Sequence, residues 1–263
     1  KEARTITGGA YVYAPAGTQG LYALKKTDGS IGWHFTQAEV LATPAYDATQ
    51  QVVFVGGANG IVYKLDAASG SVIGSYDGAS PIKKAILLVG SFVYVVSHDG
   101  KLHKIDSTTM TSVWTYPANT TAATPPSYSA SKNAVVFATS DLYVHAVNTA
   151  DGSQKWRVKP SPNTAGFPNE FDFGWPVIAE QHGIVFVRMR LAHGAMVAYP
   201  GGTHIFPNAF SDIRAYLMAN PQYKNLFALD LDTGSEKFIP AVGYGSTEDY
   251  LNSAPYGAMG TQP

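Results

Sequence analysis

The eight residues PNEFDFGW, starting at Pro168, place Asn169, Glu170 and Asp172 close together and end on Trp175. Amide and carboxylate oxygens at this spacing are the donor type that holds a hard cation such as calcium. The neighbouring indole offers a face on which a flat ligand can stack. The other acidic pair, Glu248 and Asp249, stands alone in its stretch, and a solvated acidic loop accounts for Glu170 and Asp172 more simply. Seven histidines raise a metal question. His193 and His204 lack ligand spacing, however, and no HExxH, GxSxG or P-loop pattern occurs.

Composition narrows the chemistry further. The chain has 263 residues with 45% hydrophobic content, enough for a sizeable core. Only 14% of residues are charged and the formal net charge is −1, without a basic run, so nucleic acid is not an expected partner. The absence of cysteine excludes disulfides, thiolate metal sites and cysteine nucleophiles within the chain. No stretch of 18 apolar residues occurs, so no membrane-spanning helix is expected. Low charge with abundant Gly, Ser, Thr and Tyr fits an exported protein: periplasmic, cell-surface or extracellular.

The frame for these side chains is a repeat. LYALKKTDGSIGWHF from Leu21, VYKLDAASGSVIGSY from Val62, LHKIDSTTMTSVWTY from Leu102, VHAVNTADGSQKWRV from Val144 and LFALDLDTGSEKFIP from Leu226 align. Their starts are 41, 40, 42 and 82 residues apart, so the last gap is two periods. Each copy reads as strand, turn, strand, with alternating apolar positions and a turn glycine at Gly29, Gly70, Gly152 and Gly234. The third copy carries Met110 there, which predicts a different turn. A large aromatic follows four residues later at Trp33, Trp114, Trp156 and Phe238, with Gly74 as the exception. His103 and His145 occupy the slot of Tyr22, Tyr63 and Phe227, which predicts packing between units.

A β-branched run precedes each copy, as in VVFVGG from Val52, and a weaker strand precedes that, as in LATPAY from Leu41 or SPIKKAI from Ser80. Four strands per 41 residues predict an all-β propeller of four-stranded blades, about five in this chain. The first copy reads as starting in its second strand, near Gly9, and residues from Ser253 as a lone first strand. Either the two ends pair and close a ring of five, or the chain is a portion of a larger propeller.

Antiparallel alternation locates the unusual segments. Lys159 to Gly174, Leu191 to Asn225 and Pro240 to Asn252 all belong to connections leaving one face of the disc. Ser211 is the expected N-cap of a short helix with Ile213, Tyr216 and Leu217 on its apolar side, ending at Asn220-Pro221. The domain is thus expected to be a single propeller over 1–263, or a portion of one, with a loop and helix insertion at about 191–225. Glu170, Asp172, Trp175, Tyr199, His204, Phe206, Tyr216 and Tyr244 are the candidate binding residues on that face. Trp33, Trp114, Trp156 and Phe238 are the expected blade-docking residues. The bland alternative for the loop aromatics is anchoring of a structural cap.

The phrases LYALKKTDGSIGW, VHAVNTADGSQKW and LFALDLDTGSEKF resemble the repeat of pyrroloquinoline-quinone-type propellers. The resemblance covers nearly the whole chain and implies seven or eight blades, of which this chain would supply a portion beside a protein partner or the remaining blades. It is specific for architecture and almost silent on activity. Non-enzymatic members imply a binding, scaffold or assembly module without a cofactor. Enzymatic members imply a quinone-dependent dehydrogenase with bound quinone and calcium, completed by blades outside this chain, although the adjacent cysteine pair many of them stack on the quinone is impossible. A carbohydrate or cell-wall binder using exposed tyrosines is a third expectation.

Overall fold

The computed structural model describes residues 3–162, 170–171, 174–190 and 210–240, with the backbone alone for 210–213, 216 and 223. Five four-stranded antiparallel sheets follow one another in chain order. Blade 1 is β1 (Ile6–Gly8), β2 (Tyr11–Pro15), β3 (Leu21–Lys25) and β4 (Ile31–Phe35); blade 2 is β5 (Ala45–Asp47), β6 (Val52–Gly56), β7 (Ile61–Asp66) and β8 (Val72–Asp77). Blade 3 is β9 (Leu87–Val89), β10 (Phe92–Val96), β11 (Lys101–Asp106) and β12 (Ser112–Pro117); blade 4 is β13 (Ser127–Ser129), β14 (Ala134–Ala138), β15 (Val144–Asn148) and β16 (Gln154–Val158). Blade 5 is β17 (Val177–Ala179), β18 (Ile184–Arg188), β19 (Leu226–Asp230) and β20 (Glu236–Phe238).

Within a blade, each strand pairs with its sequence neighbour, and the short first strands of successive blades pack side by side. Both faces of blades 2, 3 and 4 are covered by their neighbours. That is why the second strands read as unbroken apolar runs: every residue of β6 and β14 is buried. Hydrophobic clusters accordingly span seams between blades, one joining Tyr13 and Trp33 to Val53 and Leu65. All five pairings between third and fourth strands carry a register shift at the same place, between Ala23/Leu24, Lys64/Leu65, Lys104/Ile105, Ala146/Val147 and Ala228/Leu229. This bulge swings the fourth strand so that its central side chain faces the next blade.

A single docking rule recurs. The Trp33 indole Nε1 donates to the Ala67 carbonyl (3.0 Å), Trp114 to Thr149 (3.1 Å) and Trp156 to Leu231 (2.9 Å), each in the turn of the following blade. The ring lies on that turn's glycine. A Cβ on Gly70, Gly152 or Gly234 would fall 2.6 to 2.7 Å from indole carbons, and all three glycines have positive φ. Glycine is therefore required twice over, by backbone angle and by contact.

The seam between blades 2 and 3 obeys the rule with different atoms. Gly74 stands where the indole would be, and Met110 stands at the turn glycine. Contrary to expectation the turn is unchanged: Met110 takes φ 56° and its N–H donates to Asp106 O at 2.9 Å, as Gly70 does to Asp66 O. With no indole above it, the turn has room for a side chain, and Met110 fills the gap while buried. The missing donor is supplied by Lys64, whose Nζ reaches Ser107 O at 2.8 Å, the position equivalent to Ala67, Thr149 and Leu231. Two residues that look like defects in the repeat are complementary halves of one contact.

Two further expectations change. The first copy does not start in its second strand, because β1 provides the innermost strand of blade 1. The helix α1 (Phe210–Ala219) begins before Ser211, which therefore lies inside it, and ends before Asn220-Pro221 as read from the sequence. Leu217 of α1 is buried. Among the described residues no ring lies over Gly29, and Phe238 is 42% exposed, so these two positions depart from the docking seen at the other seams.

Candidate functional site

Connections from fourth to first strands and from second to third strands meet on one side of the disc. Val40, ahead of β5, bridges both Gly17 and Gly57, and Ala122, ahead of β13, bridges Thr139. Blade 5 repeats the pattern with Glu170 and Arg190, joined by backbone bonds of 3.1 and 2.8 Å and by an ion pair between their side chains. Glu170, within the 159–174 connection, is thus hydrogen-bonded to Arg190, the residue before the 191–225 stretch. The third long stretch, 240–252, lies outside the described residues beyond Pro240.

On this side a cleft of about 350 Å³ opens across blades 3, 4 and 5. Its lining comes from five successive connections: Lys83 and Lys84; Val96, Ser97 and His98; Thr121, Ala122 and Ala123; Ser140; and Glu170 with Phe171. Val96, Ala122 and Phe171 are buried and form an apolar floor, while His98 is exposed at the rim. The sequence offers no pattern for this set. Apart from Val96, which ends β10, each residue sits in a connection, where no hydrophobic period operates, and they meet only because the blades turn about a common hub.

The buried polar groups beneath the rim are satisfied. His103 Nε2 meets Ser97 Oγ at 3.0 Å and its Nδ1 meets the Tyr76 hydroxyl at 2.9 Å. Ser97 Oγ in turn donates to Asp99 Oδ1 (2.6 Å), so the ring donates from Nε2 and accepts at Nδ1. His145 repeats the arrangement with Thr139 (3.1 Å), Tyr116 (3.0 Å) and Asp141. Burial pushes both imidazoles down to about 4, so both are neutral near pH 7. In the equivalent seam between blades 1 and 2, Tyr63 replaces the histidine and Phe35 the tyrosine, meeting edge to face at 5.0 Å between ring centres. These histidines are interblade packing residues with a polar tip, not metal ligands.

The sequence-derived candidates separate. Glu170 lines the cleft, but its carboxylate is engaged by Arg190. Trp175 lies under the Arg4 guanidinium, 5.0 Å from the ring centre, which ties the segment before β1 to the segment before β17. Asp172, Tyr199, His204, Phe206 and Tyr244 lie outside the described residues, as does Asn169; Tyr216 is placed only by its backbone within α1. A calcium-held quinone needs a group of free oxygen ligands beside an open ring. Glu170 and Trp175 are both committed elsewhere, and no cluster of three acidic or histidine residues suited to a metal exists among the described residues.

The family model described as outer membrane protein assembly factor BamB matches residues 17–239. The crystal structure of BamB from Moraxella catarrhalis superposes with a TM-score of 0.65 at 17% identity, covering 90% of this chain and 63% of that one. The computationally designed Ika8 protein superposes with a TM-score of 0.58 at 16% identity, covering 70% of this chain and 54% of that one. Among curated proteins no sequence matches. The chain therefore spans less than two thirds of the length of either structure.

Proposed function

This chain belongs to the family of the outer membrane protein assembly factor BamB, and from that premise we propose that it is a non-enzymatic protein-binding module of an exported assembly system. The contact is made through the side of the disc that carries the long connections. One observation carries this reading: connections from three adjacent blades converge on a single cleft, on the same side as the described ends of the long segments. The opposite side bears tight turns capped by their own aspartates, such as Asp66 accepting from Ser69 and Asp106 from Thr109, which leaves little polar capacity for a partner. A stiff disc suits the role, since loops already ordered by a rigid frame lose less freedom when a partner docks.

Quinone-dependent dehydrogenation is not part of this reading, because Glu170 and Trp175 have other partners. BamB is by name an outer membrane protein assembly factor, which supports a periplasmic or surface setting for this chain. No helix among the described residues is long and apolar enough to cross a membrane.

Photo-cross-linking in the native cell envelope tests the proposal. A benzophenone side chain at Thr121 or Ser140 is expected to capture a protein partner, and one at Ser69 or Thr109, on the other side, is not. Equal capture from both sides, or none from either, would remove the basis for a contact face.

A further inference from the structure

The outermost strands of the five blades are not protected alike. Each fourth strand pairs only with the third, so its far side is an open sheet edge. Charged side chains and proline are the devices that keep such an edge from taking up another strand. β4 carries His34, β12 closes on Pro117, β16 carries Lys155 and Arg157, and β20 carries Glu236 and Lys237. β8, with the sequence VIGSYD, has none of them before its last residue, Asp77. It exposes Val72 and Ile73 instead, the latter by 56%. Ile73 is the extra residue of the bulge, where Lys155 and Lys237 stand in blades 4 and 5.

The ladder shows which backbone groups this edge presents. Gly78 N–H donates to Gly60 O at 2.9 Å, and bonded pairs alternate with non-bonded ones, so Tyr76 and Gly74 turn their groups toward Val62 and Lys64 of β7. Ser75 and Asp77 lie between and beyond them and turn theirs away from β7. Among the described residues no strand meets that side of β8. From the contrast between β8 and the other edges we infer that β8 takes an extended segment of a protein partner as a fifth, antiparallel strand of blade 2. Alternate N–H and C=O groups along an open edge are what an extended backbone satisfies. Side chains set the register: an aliphatic residue lies against Ile73, and a Lys or Arg against Asp77. The Asp77 carboxylate accepts from Ala79 N–H at 2.8 Å and pairs with no cation among the described residues. A second copy of this chain lacks the cation, because β8 offers no Lys or Arg to its own Asp77. The edge is the outer rim of blade 2, and the inference does not depend on the role given to the cleft.

The test uses the whole chain, labelled with 15N, and the peptide acetyl-Lys-Thr-Val-Thr-Val-Thr-amide, whose first, third and fifth residues align with Asp77, Ser75 and Ile73. Two further peptides carry a single backbone N-methyl group, either on the third residue, whose N–H points to β8, or on the fourth, whose N–H points away. The plain peptide and the one methylated at the fourth residue are expected to shift amide resonances of 72–77 and to slow hydrogen exchange at Ser75 and Asp77. The peptide methylated at the third residue is expected to do neither. Ile73→Lys supplies the residue that Lys155 and Lys237 place at the equivalent bulge, so the fold is kept, and it should weaken the plain peptide about fivefold, the scale of one cross-strand pair. No shift at 72–77, or binding indifferent to the position of the N-methyl group, would overturn strand addition. Undiminished binding to Ile73→Lys would overturn the aliphatic contact that sets the register. A dimer that forms without peptide and is lost in Ile73→Lys would overturn the assignment of a separate partner by showing that a second copy fills the edge.

Discussion

The seam between blades 2 and 3 offers a sharp test of the docking rule, because its two deviations should be worth something only together. A Cβ on Gly74 would sit 3.0 Å from Met110 Cγ, so Gly74→Trp alone drives an indole into an occupied space. Overpacking of this kind costs about 1–3 kcal/mol. Met110→Gly alone removes a side chain that is 6% exposed, a loss of about 2–5 kcal/mol, offset by about 1–2 kcal/mol from relieving a non-glycine residue at φ 56°. The net cost is about 0–4 kcal/mol. The double variant recreates the seam between blades 3 and 4, where Trp114 lies on Gly152 while Lys104 and Trp114 both donate to Thr149 O, at 2.7 and 3.1 Å. Lys64 can therefore stay. Urea unfolding of the four proteins should give single variants destabilised in sum and a double variant near wild type, a favourable coupling of at least about 1 kcal/mol. Additive losses would show that Gly74 and Met110 are unrelated and that the indole-on-glycine contact does not govern how blades stack.

Two further outcomes follow from the same geometry. Trp156 is buried and hydrogen-bonded across a seam, so Trp156→Ala should cost about 3–5 kcal/mol, whereas Phe238→Ala, at a half-exposed ring, should cost about 1 kcal/mol or less; thermal unfolding of the two variants compares them directly. His103 and His145 have folded values of about 4, below an unfolded value near 6.5, so the unfolded chain takes up protons first as pH falls. Stability should decline from about pH 6.5 down to about pH 4, by up to roughly 3 kcal/mol per ring. Replacing both rings by the residue that Tyr63 supplies at the equivalent seam, His103→Tyr with His145→Tyr, should flatten that slope in urea titrations between about pH 7 and 4.5.

The architecture was legible because the propeller repeats its rules. Turn glycines, the aromatic four residues on and the apolar second strand are tied to contacts between blades, so the pattern recurs every 40 to 42 residues over the first four copies, broken only where Gly74 and Met110 exchange roles. The slot shared by His103, His145 and Tyr63 was legible for the same reason, since all three fill one interblade position. The first strands were not well located: at three residues each they are too short to show an alternating pattern, and the strand expected within Ser80–Ile86 lies at Leu87–Val89. Met110 was misjudged because its tolerance for a left-handed backbone depends on Gly74, in a different blade. The cleft was invisible for a related reason. Lys83, His98, Thr121 and Ser140 belong to four connections with no shared pattern, and only the turning of one blade against the next brings them to a common wall.

Whether one side of the disc is the contact surface decides most of what is proposed. Amide hydrogen exchange of the chain alone and in its cross-linked complex measures this directly. Protection is expected at 83–84, 97–98, 121–123 and 140, with the turns at 67–70, 107–110, 149–152 and 231–234 exchanging as before. Protection confined to those turns, with the cleft unchanged, would contradict it.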